Sequence, residues 1–276
     1  MSRNKWKGSL TVVGTGIKAV AHSTNEARRH IEQADKVYFV CADVLTSLWI
    51  QSLNQRAESL HSYFNINKSR YDSYEEIIEH LLVGLRKGWR VCVAFYGHPG
   101  VFVYPSHQVI KRARDEGYDA VMLPGISAED CLFADVGLDP ARTGCQSFEA
   151  TDFLVYKRRP DTSCALILWQ VGVIGLLNHV PVNSTAKGVG LLTSFLLDHY
   201  PATHKAVIYE AALDAACPPR IDEVELGTLT EQTFSPFSTL YVAPATELVP
   251  DKAMLKKLRM PHPPRRPVQS KESVCK

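Results

Sequence analysis

The chain has 276 residues, 45% hydrophobic and 22% charged, enough for a sizeable core and suited to two compact domains. Its formal charge of +2 is concentrated at one end. Residues 251–276 hold eight of the 31 Lys and Arg but two of the 29 Asp and Glu, leaving 23 basic against 27 acidic residues elsewhere, which disfavours a nucleic-acid partner.

Ser9 to Val13 reads as a first apolar strand, broken by Gly14-Thr15-Gly16. Ser23-Thr24-Asn25-Glu26 fits a capping box opening a helix toward Gln33, and Lys36 to Val40 is a second strand. Leu48 to Leu53 suggests a short helix. A second capping box, Ser73-x-x-Glu76, predicts a helix running to about Lys87 with Gly88 as its stop. Arg90 to Phe95 is a buried-type strand, followed by a predicted helix from a serine cap at Ser106 to Gly117. Ala120–Leu123 is the next strand, Pro124-Gly125 ends it, and Ser127-Ala128-Glu129-Asp130 starts another helix. This alternation predicts a mainly parallel α/β sheet.

Gly and Pro cluster between Asp135 and Gly144, placing a domain boundary near residue 142. Beyond it come the strand Ala165–Trp169, a helix around Gly190–Tyr200, and apolar runs at Ala206–Ala212, Val224–Thr228 and Thr239–Ala243. The reading is an N-terminal α/β domain over 1–142, a C-terminal one over 143–248, and a basic, proline-rich, mobile tail over 249–276.

Seven cysteines, an odd count, show neither Cys-x-x-Cys nor zinc-site spacing, so no metal is expected and the cysteines read as small core hydrophobes. With no apolar h-region at the start, this predicts a reducing, cytoplasmic location. The longest uncharged stretch, Thr162 to Ala186, is interrupted by Gln170, Gly172, Gly175, Asn178 and Pro181, which argues against a membrane span.

Three glycine-bearing turns carry the functional signal: Gly14-Thr15-Gly16, Gly97-His98-Pro99-Gly100 and Pro124-Gly125-Ile126-Ser127. Each follows a predicted strand, where open α/β sheets bind ligands. Gly14 and Gly16 are followed by Ala19 rather than a third glycine, and no phosphate-loop pattern occurs, so the turns point to an adenosyl-type ligand rather than a cradled phosphate.

The strings "GSLTVVGTGI", "FYGHPGVFV" and "MLPGISAEDCLFADVGLDP" resemble the tetrapyrrole methylase superfamily. "NKSRYDSY", "FEATDFL", "WQVG" and "STLYVAP" narrow the resemblance to the borosin peptide backbone α-N-methyltransferases, over roughly residues 8 to 245. The resemblance implies two α/β domains with S-adenosylmethionine in the cleft between them and S-adenosylhomocysteine as product. Tyr96, His98, Val101 and Phe102 match the cofactor loop, Ser127 and Ala128 its third motif, and Gln170, Ala211, Ser238 and Thr239 the remaining contacts. Tyr96 is expected to face the methyl group.

The resemblance also assigns catalysis to Arg70, Tyr74 and Tyr96. A backbone amide nitrogen is a poor nucleophile because its lone pair is delocalised. Its methylation needs a base for the N–H proton and a fixed donor at the carbonyl oxygen. Arg70 is a cation near a helix start, where the dipole disfavours one, and the two together are expected to lower the Tyr74 pKa toward a phenolate. Phe64 stands where the family has a catalytic tyrosine and His61 at another tyrosine position, with Tyr63 adjacent as a substitute. The resemblance implies a precursor-peptide substrate, which the short tail suggests is supplied in trans, and a homodimer with Leu48-Trp49-Ile50 as a candidate contact. The competing readings are a methyltransferase of tetrapyrroles or other small molecules, and a silent adenosylmethionine-binding module that holds a peptide.

Overall fold

The computed structural model describes residues 7–65, 68–178 and 186–263. The chain divides into two compact units, Met1–Cys131 with Leu176–Pro181 and Ala211–Pro219, and Leu132–Gly175 with Val182–Glu210 and Arg220–Lys276.

The first unit runs β1 (Ser9–Gly14), α1 (Asn25–Gln33), β2 (Lys36–Val40), α2 (Val44–Leu53), β3 (Ala57–Ser59), α3 (Arg70–Arg86), β4 (Arg90–Phe95), α4 (Tyr104–Asp115) and β5 (Asp119–Met122). Its sheet has the order β3-β2-β4-β1-β5 with every pairing parallel. Successive β4 residues feed opposite faces, as the strand period of two requires. Val91, Val93 and Phe95 pack with Ile77, Ile78, Leu81, Val109 and Ile110 of α3 and α4. Cys92 and Ala94 pack with Ala27, Ile31 and Ile50 of α1 and α2. A sheet buried on both faces explains why β4 reads as an unbroken apolar run.

Three expected boundaries move. Helix α3 is capped by Ser69, whose Oγ accepts from the Asp72 N–H, so it begins a turn before the Ser73 box and encloses Ser73 in its interior. Helix α4 starts at Tyr104 with Pro105 in its first turn, while the Ser106 hydroxyl turns back to the Pro99 and Val103 carbonyls instead of capping. Helix α2 starts at Val44, capped by Asp43. It buries Ile50 and tucks Trp49 against the same cluster, so of Leu48-Trp49-Ile50 only Leu48 is exposed, beside Val44 and Leu45.

α5 (Ala128–Val136) runs across the division at Cys131. The second unit continues with α6 (Pro140–Thr143), β6 (Cys145–Glu149), α7 (Ala150–Val155), β7 (Ala165–Trp169), α8 (Ala186–Leu197), β8 (Lys205–Glu210), β9 (Arg220–Glu225), β10 (Thr239–Val242) and α9 (Lys252–Lys257). Its sheet has the order β6-β7-β10-β8-β9, with only β6–β7 parallel. Leu166, Leu168, Ile208, Leu240 and Val242 build its core with Leu192 and Leu196 of α8. Strand β9 ends at Glu225, so the apolar run Val224–Thr228 divides between that strand and the 3-10 turn Leu226–Glu231. Helix α9 occupies the start of the tail, capped by Asp251. Pro264, Pro267 and Cys275 lie outside the described residues. No helix among the described residues is long and apolar enough to cross a membrane.

Candidate functional site

Strands β1 and β4 are neighbours whose connections leave in opposite directions: β1 leads through α1 to β2, and β4 through α4 to β5. This is a topological switch point, where the crevice at the carboxyl ends of the strands takes a ligand. The three glycine turns converge there. A Cβ on Gly14 would stand 2.3 Å from the Gly97 carbonyl oxygen and 3.1 Å from Gly125 Cα, so the backbones pack with no room for any side chain. Gly16 and Gly97 form a bridge, each N–H donating to the other's carbonyl at 3.2 and 2.9 Å, and both have positive φ, +73° and +70°.

The loop leaving β4 is built from this anchor. Tyr96 is half-buried, and its N–H donates to the Val40 carbonyl at 2.9 Å. Burial pushes its phenol up to about 12, with Cys131 and Asp43 adding smaller electrostatic effects. The His98 Nδ1 accepts from the Gly100 N–H at 2.9 Å, folding the imidazole over its own turn. Val101 and Phe102 remain 36% and 48% exposed, and Phe102 holds a positive φ of +54°, uncommon for an aromatic residue. Ser127 is buried, caps α5 by accepting from the Asp130 N–H, and donates its own hydroxyl to the Asp130 carboxylate at 2.8 Å. Ala128 opens that helix.

Arg70 is the first residue of α3 and Tyr74 lies four residues on, the spacing that puts two side chains on one helical face. Among the described residues neither the guanidinium nor the phenol has a hydrogen-bond or ion-pair partner. Burial raises the Tyr74 pKa from its ordinary 10, and the Arg70 charge lowers it by less. The expected drop toward a phenolate is thus reversed, because removing the ring from water penalises the anion more than one half-exposed cation favours it. The Tyr74 ring lies between Phe64, edge-on at 6.4 Å, and Tyr104, tilted at 6.0 Å.

Tyr63 points elsewhere. Its ring packs on His80 at 5.5 Å, and His80 shares Glu58 with Lys36. His61 is exposed and its Nε2 meets the Cys41 carbonyl at 2.8 Å. It is Phe64, without a hydroxyl, that keeps company with Tyr74. Sequence reasoning missed Tyr104, which opens α4 directly after the glycine loop, stacks on Tyr74 and reaches Glu75 at 3.5 Å. Its place two residues beyond Phe102 was the available signal.

In the second unit Gln170 follows β7 with a left-handed backbone, φ +60°. Ser238 and Thr239 are buried at the start of β10, whereas Ala211, the residue after β8, is counted with the first unit. The Val171 N–H donates to the Ser238 carbonyl at 3.1 Å, joining these ends. Glu210, at the end of β8, was also missed; Ser238 donates to it at 2.5 Å and Arg220 at 3.0 Å. A carboxylate closing an apolar strand one residue before Ala211 was its sequence signal. Among the described residues no three His, Cys, Asp or Glu side chains gather as a metal site.

A parallel α/β sheet with a glycine-built loop at its switch point, followed by a mixed second sheet, defines a methylase-like class of fold. The chain belongs to the tetrapyrrole (corrin/porphyrin) methylase family, which matches residues 9–216. It is 40% identical over 263 residues to the methyltransferase/ribosomally synthesized cyclic peptide gymnopeptides precursor of Gymnopus fusipes, covering 94% of this chain and 63% of that protein. It is 37% identical over 257 residues to the omphalotin A precursor of Omphalotus olearius, covering 92% of this chain and 62% of that one. To a type III borosin precursor of Anomoporia bombycina it is 42% identical over 241 residues, 86% of this chain and 28% of the relative. The chain thus spans less than two thirds of the length of these relatives. Among solved structures, uroporphyrin-III-C-methyltransferase from Thermus thermophilus has the same fold at a TM-score of 0.61 and 18% identity, over 94% of this chain and 99% of that one.

Proposed function

We propose that the protein transfers a methyl group from S-adenosylmethionine to backbone amide nitrogens of a ribosomally made precursor peptide. The observation that carries this reading is the pair Arg70 and Tyr74: a half-buried guanidinium and a phenol on one helical face, neither partnered among the described residues. An unpartnered arginine at a helix amino terminus, where the dipole already disfavours a cation, suits a site that receives negative charge. Deprotonating an amide places that charge on its carbonyl oxygen, and two fixed donors there lower the barrier. The raised Tyr74 pKa makes its phenol a donor rather than a base at neutral pH.

The glycine loop fits the cofactor. The turns leave no room for side chains at Gly14 and Gly125, and the exposed Val101 and Phe102 offer apolar surface beside bare backbone. Tyr96, His98, Val101, Phe102, Ser127 and Ala128 are the proposed contacts of this loop, joined by Gln170, Ala211, Ser238 and Thr239. When bound, S-adenosylmethionine supplies an electrophilic methyl group. Tyr96, neutral because its phenol titrates near 12, orients that methyl without competing for it as a phenolate.

The relatives' names support a peptide substrate, since each is both methyltransferase and cyclic-peptide precursor. The test is incubation with S-adenosylmethionine and a separately supplied precursor peptide, followed by tandem mass spectrometry. Methyl groups on backbone nitrogens are expected. Methylation of a porphyrinoid with none of the peptide would overturn the peptide reading. Cofactor binding without transfer to any substrate would favour the silent module.

A further inference from the structure

The second sheet ends in a row of polar groups that follows its strand order. From β7 through β10 and β8 to β9 stand Gln170, Ser238, Glu210 and Arg220. Ser238, a proposed cofactor contact, has no donor left to offer. Its N–H goes to the Ser235 carbonyl at 3.1 Å, and its hydroxyl hydrogen goes to Glu210 Oε1. Its oxygen also accepts from the Ser235 N–H at 2.7 Å, and its carbonyl takes the Val171 N–H. Glu210 is different. Oε1 receives both Ser238 and Arg220, while Oε2 has no partner among the described residues, and the side chain is 24% exposed. Ser238 and Arg220 thus hold the carboxylate by one oxygen and leave the other presented.

We propose that Glu210 is a cofactor-binding residue of this protein, its Oε2 accepting from the ribose diol of the adenosyl group. This rests on the adenosylmethionine reading above. Arg220, which also pairs with Asp222 at 2.6 Å, already offsets the Glu210 charge, so a neutral hydroxyl donor suits the free oxygen better than a second cation. A carboxylate fixed by two partners loses little conformational freedom when a ligand arrives, and preorganisation of that kind favours binding. Ser238 then also positions Glu210, in addition to its own proposed contact.

The experiment is titration calorimetry of wild type, Glu210→Gln and Ser238→Ala with S-adenosylhomocysteine and with 5′-methylthioadenosine, which keeps the ribose and lacks the amino-acid portion. Thermal unfolding of each ligand-free variant is measured in parallel. Glu210→Gln is expected to weaken both ligands by the same factor, about ten- to a hundredfold, the worth of a hydrogen bond to a charged group. Ser238→Ala is expected to weaken both by less. A 2′-deoxy analogue of the thioether should be nearly insensitive to Glu210→Gln. Undiminished affinity in Glu210→Gln, with or without a lower unfolding temperature, would make the residue a brace for the 235–238 turn and overturn the proposal. Loss confined to S-adenosylhomocysteine would assign Oε2 to the ammonium group and also overturn it. If wild type binds neither ligand, the underlying cofactor reading fails instead.

Discussion

Arg70 and Tyr74 stand one helical turn apart at the start of α3, with the guanidinium and the phenol both unpartnered among the described residues. If both donate to the developing oxyanion, Tyr74→Phe and Arg70→Lys should each reduce single-turnover methylation by about 10²–10³. The lysine variant keeps the charge but loses the planar fork. Cofactor affinity, measured by calorimetry on the same preparations, should stay within about twofold. Weakened affinity with unchanged chemistry would move both residues out of the catalytic machinery.

The raised Tyr74 pKa sets a sign for pH dependence. Burial favours the neutral phenol, so Tyr74 should titrate above the ordinary tyrosine value and stay a donor at neutral pH. The same shift contributes stability that is fully present below pH 10 and lost as pH rises through the folded-state value. In an ultraviolet tyrosinate titration the phenol lost in Tyr74→Phe should therefore be one that titrates above the ordinary tyrosine value. A phenol titrating near neutrality and absent from that variant would restore the base assignment.

Phe64, at the family's tyrosine position, is the neighbour of Tyr74, and the substitute Tyr63 is not. Phe64 meets Tyr74 edge-on, whereas Tyr63 lies against His80. Phe64→Tyr should change stability by no more than about 0.5 kcal/mol, because it adds one hydroxyl to a half-buried ring. It should raise turnover by placing a phenol beside Tyr74. Tyr63→Phe should leave turnover unchanged. A rate drop in Tyr63→Phe matching that of Tyr74→Phe would show that the phenol at 63 is the one used.

Ser69 and Ser73 are rival caps for helix α3. The sequence carries two serines followed at the third position by an acidic residue, Ser69-x-x-Asp72 and Ser73-x-x-Glu76, and the second fits the capping box more closely. The fold chooses the first, and Ser73 becomes a buried hydroxyl with no partner among the described residues. Ser69→Ala should cost about 1 kcal/mol. Ser73→Ala should be neutral or stabilising, since it removes a buried polar group that nothing satisfies. Denaturant unfolding of both variants distinguishes the caps, and a larger loss in Ser73→Ala would reverse them.

That choice also marks the limit of what the sequence made legible. The strands β1, β4 and β7 and the three glycine turns could be read because apolar runs and glycine punctuation are local signals. Tyr104 beside Tyr74 and Glu210 against Ser238 depend on contacts between residues far apart in the chain. Local pattern does not encode them. The Tyr74 pKa is illegible for the same reason: the helix dipole and Arg70 are visible in the sequence, but the burial that outweighs them is a property of packing against Phe64 and Tyr104.

Gly14 gives the most direct test of the glycine-built loop. Its φ is ordinary, so Gly14→Ala carries no backbone penalty of the left-handed kind, and any effect comes from space alone. The added methyl would lie 2.3 Å from the Gly97 carbonyl oxygen and 2.8 Å from Pro99 Cδ, both parts of the loop that leads to Tyr96 and Phe102. Neither atom is the end of a flexible side chain, so the loop must shift as a body. Overpacking of a well-packed site costs roughly 1–3 kcal/mol, and the displaced loop should lose cofactor affinity by more than its share of stability. Gly137→Ala is the control: its added methyl would meet nothing within 4 Å, although its φ of +74° strains any side chain. Calorimetry with S-adenosylhomocysteine should show binding lost in Gly14→Ala and kept in Gly137→Ala, each compared at a temperature where the variant is folded. Equal affinities in the two variants would mean that the convergence of the glycine turns shapes the fold and not the ligand site.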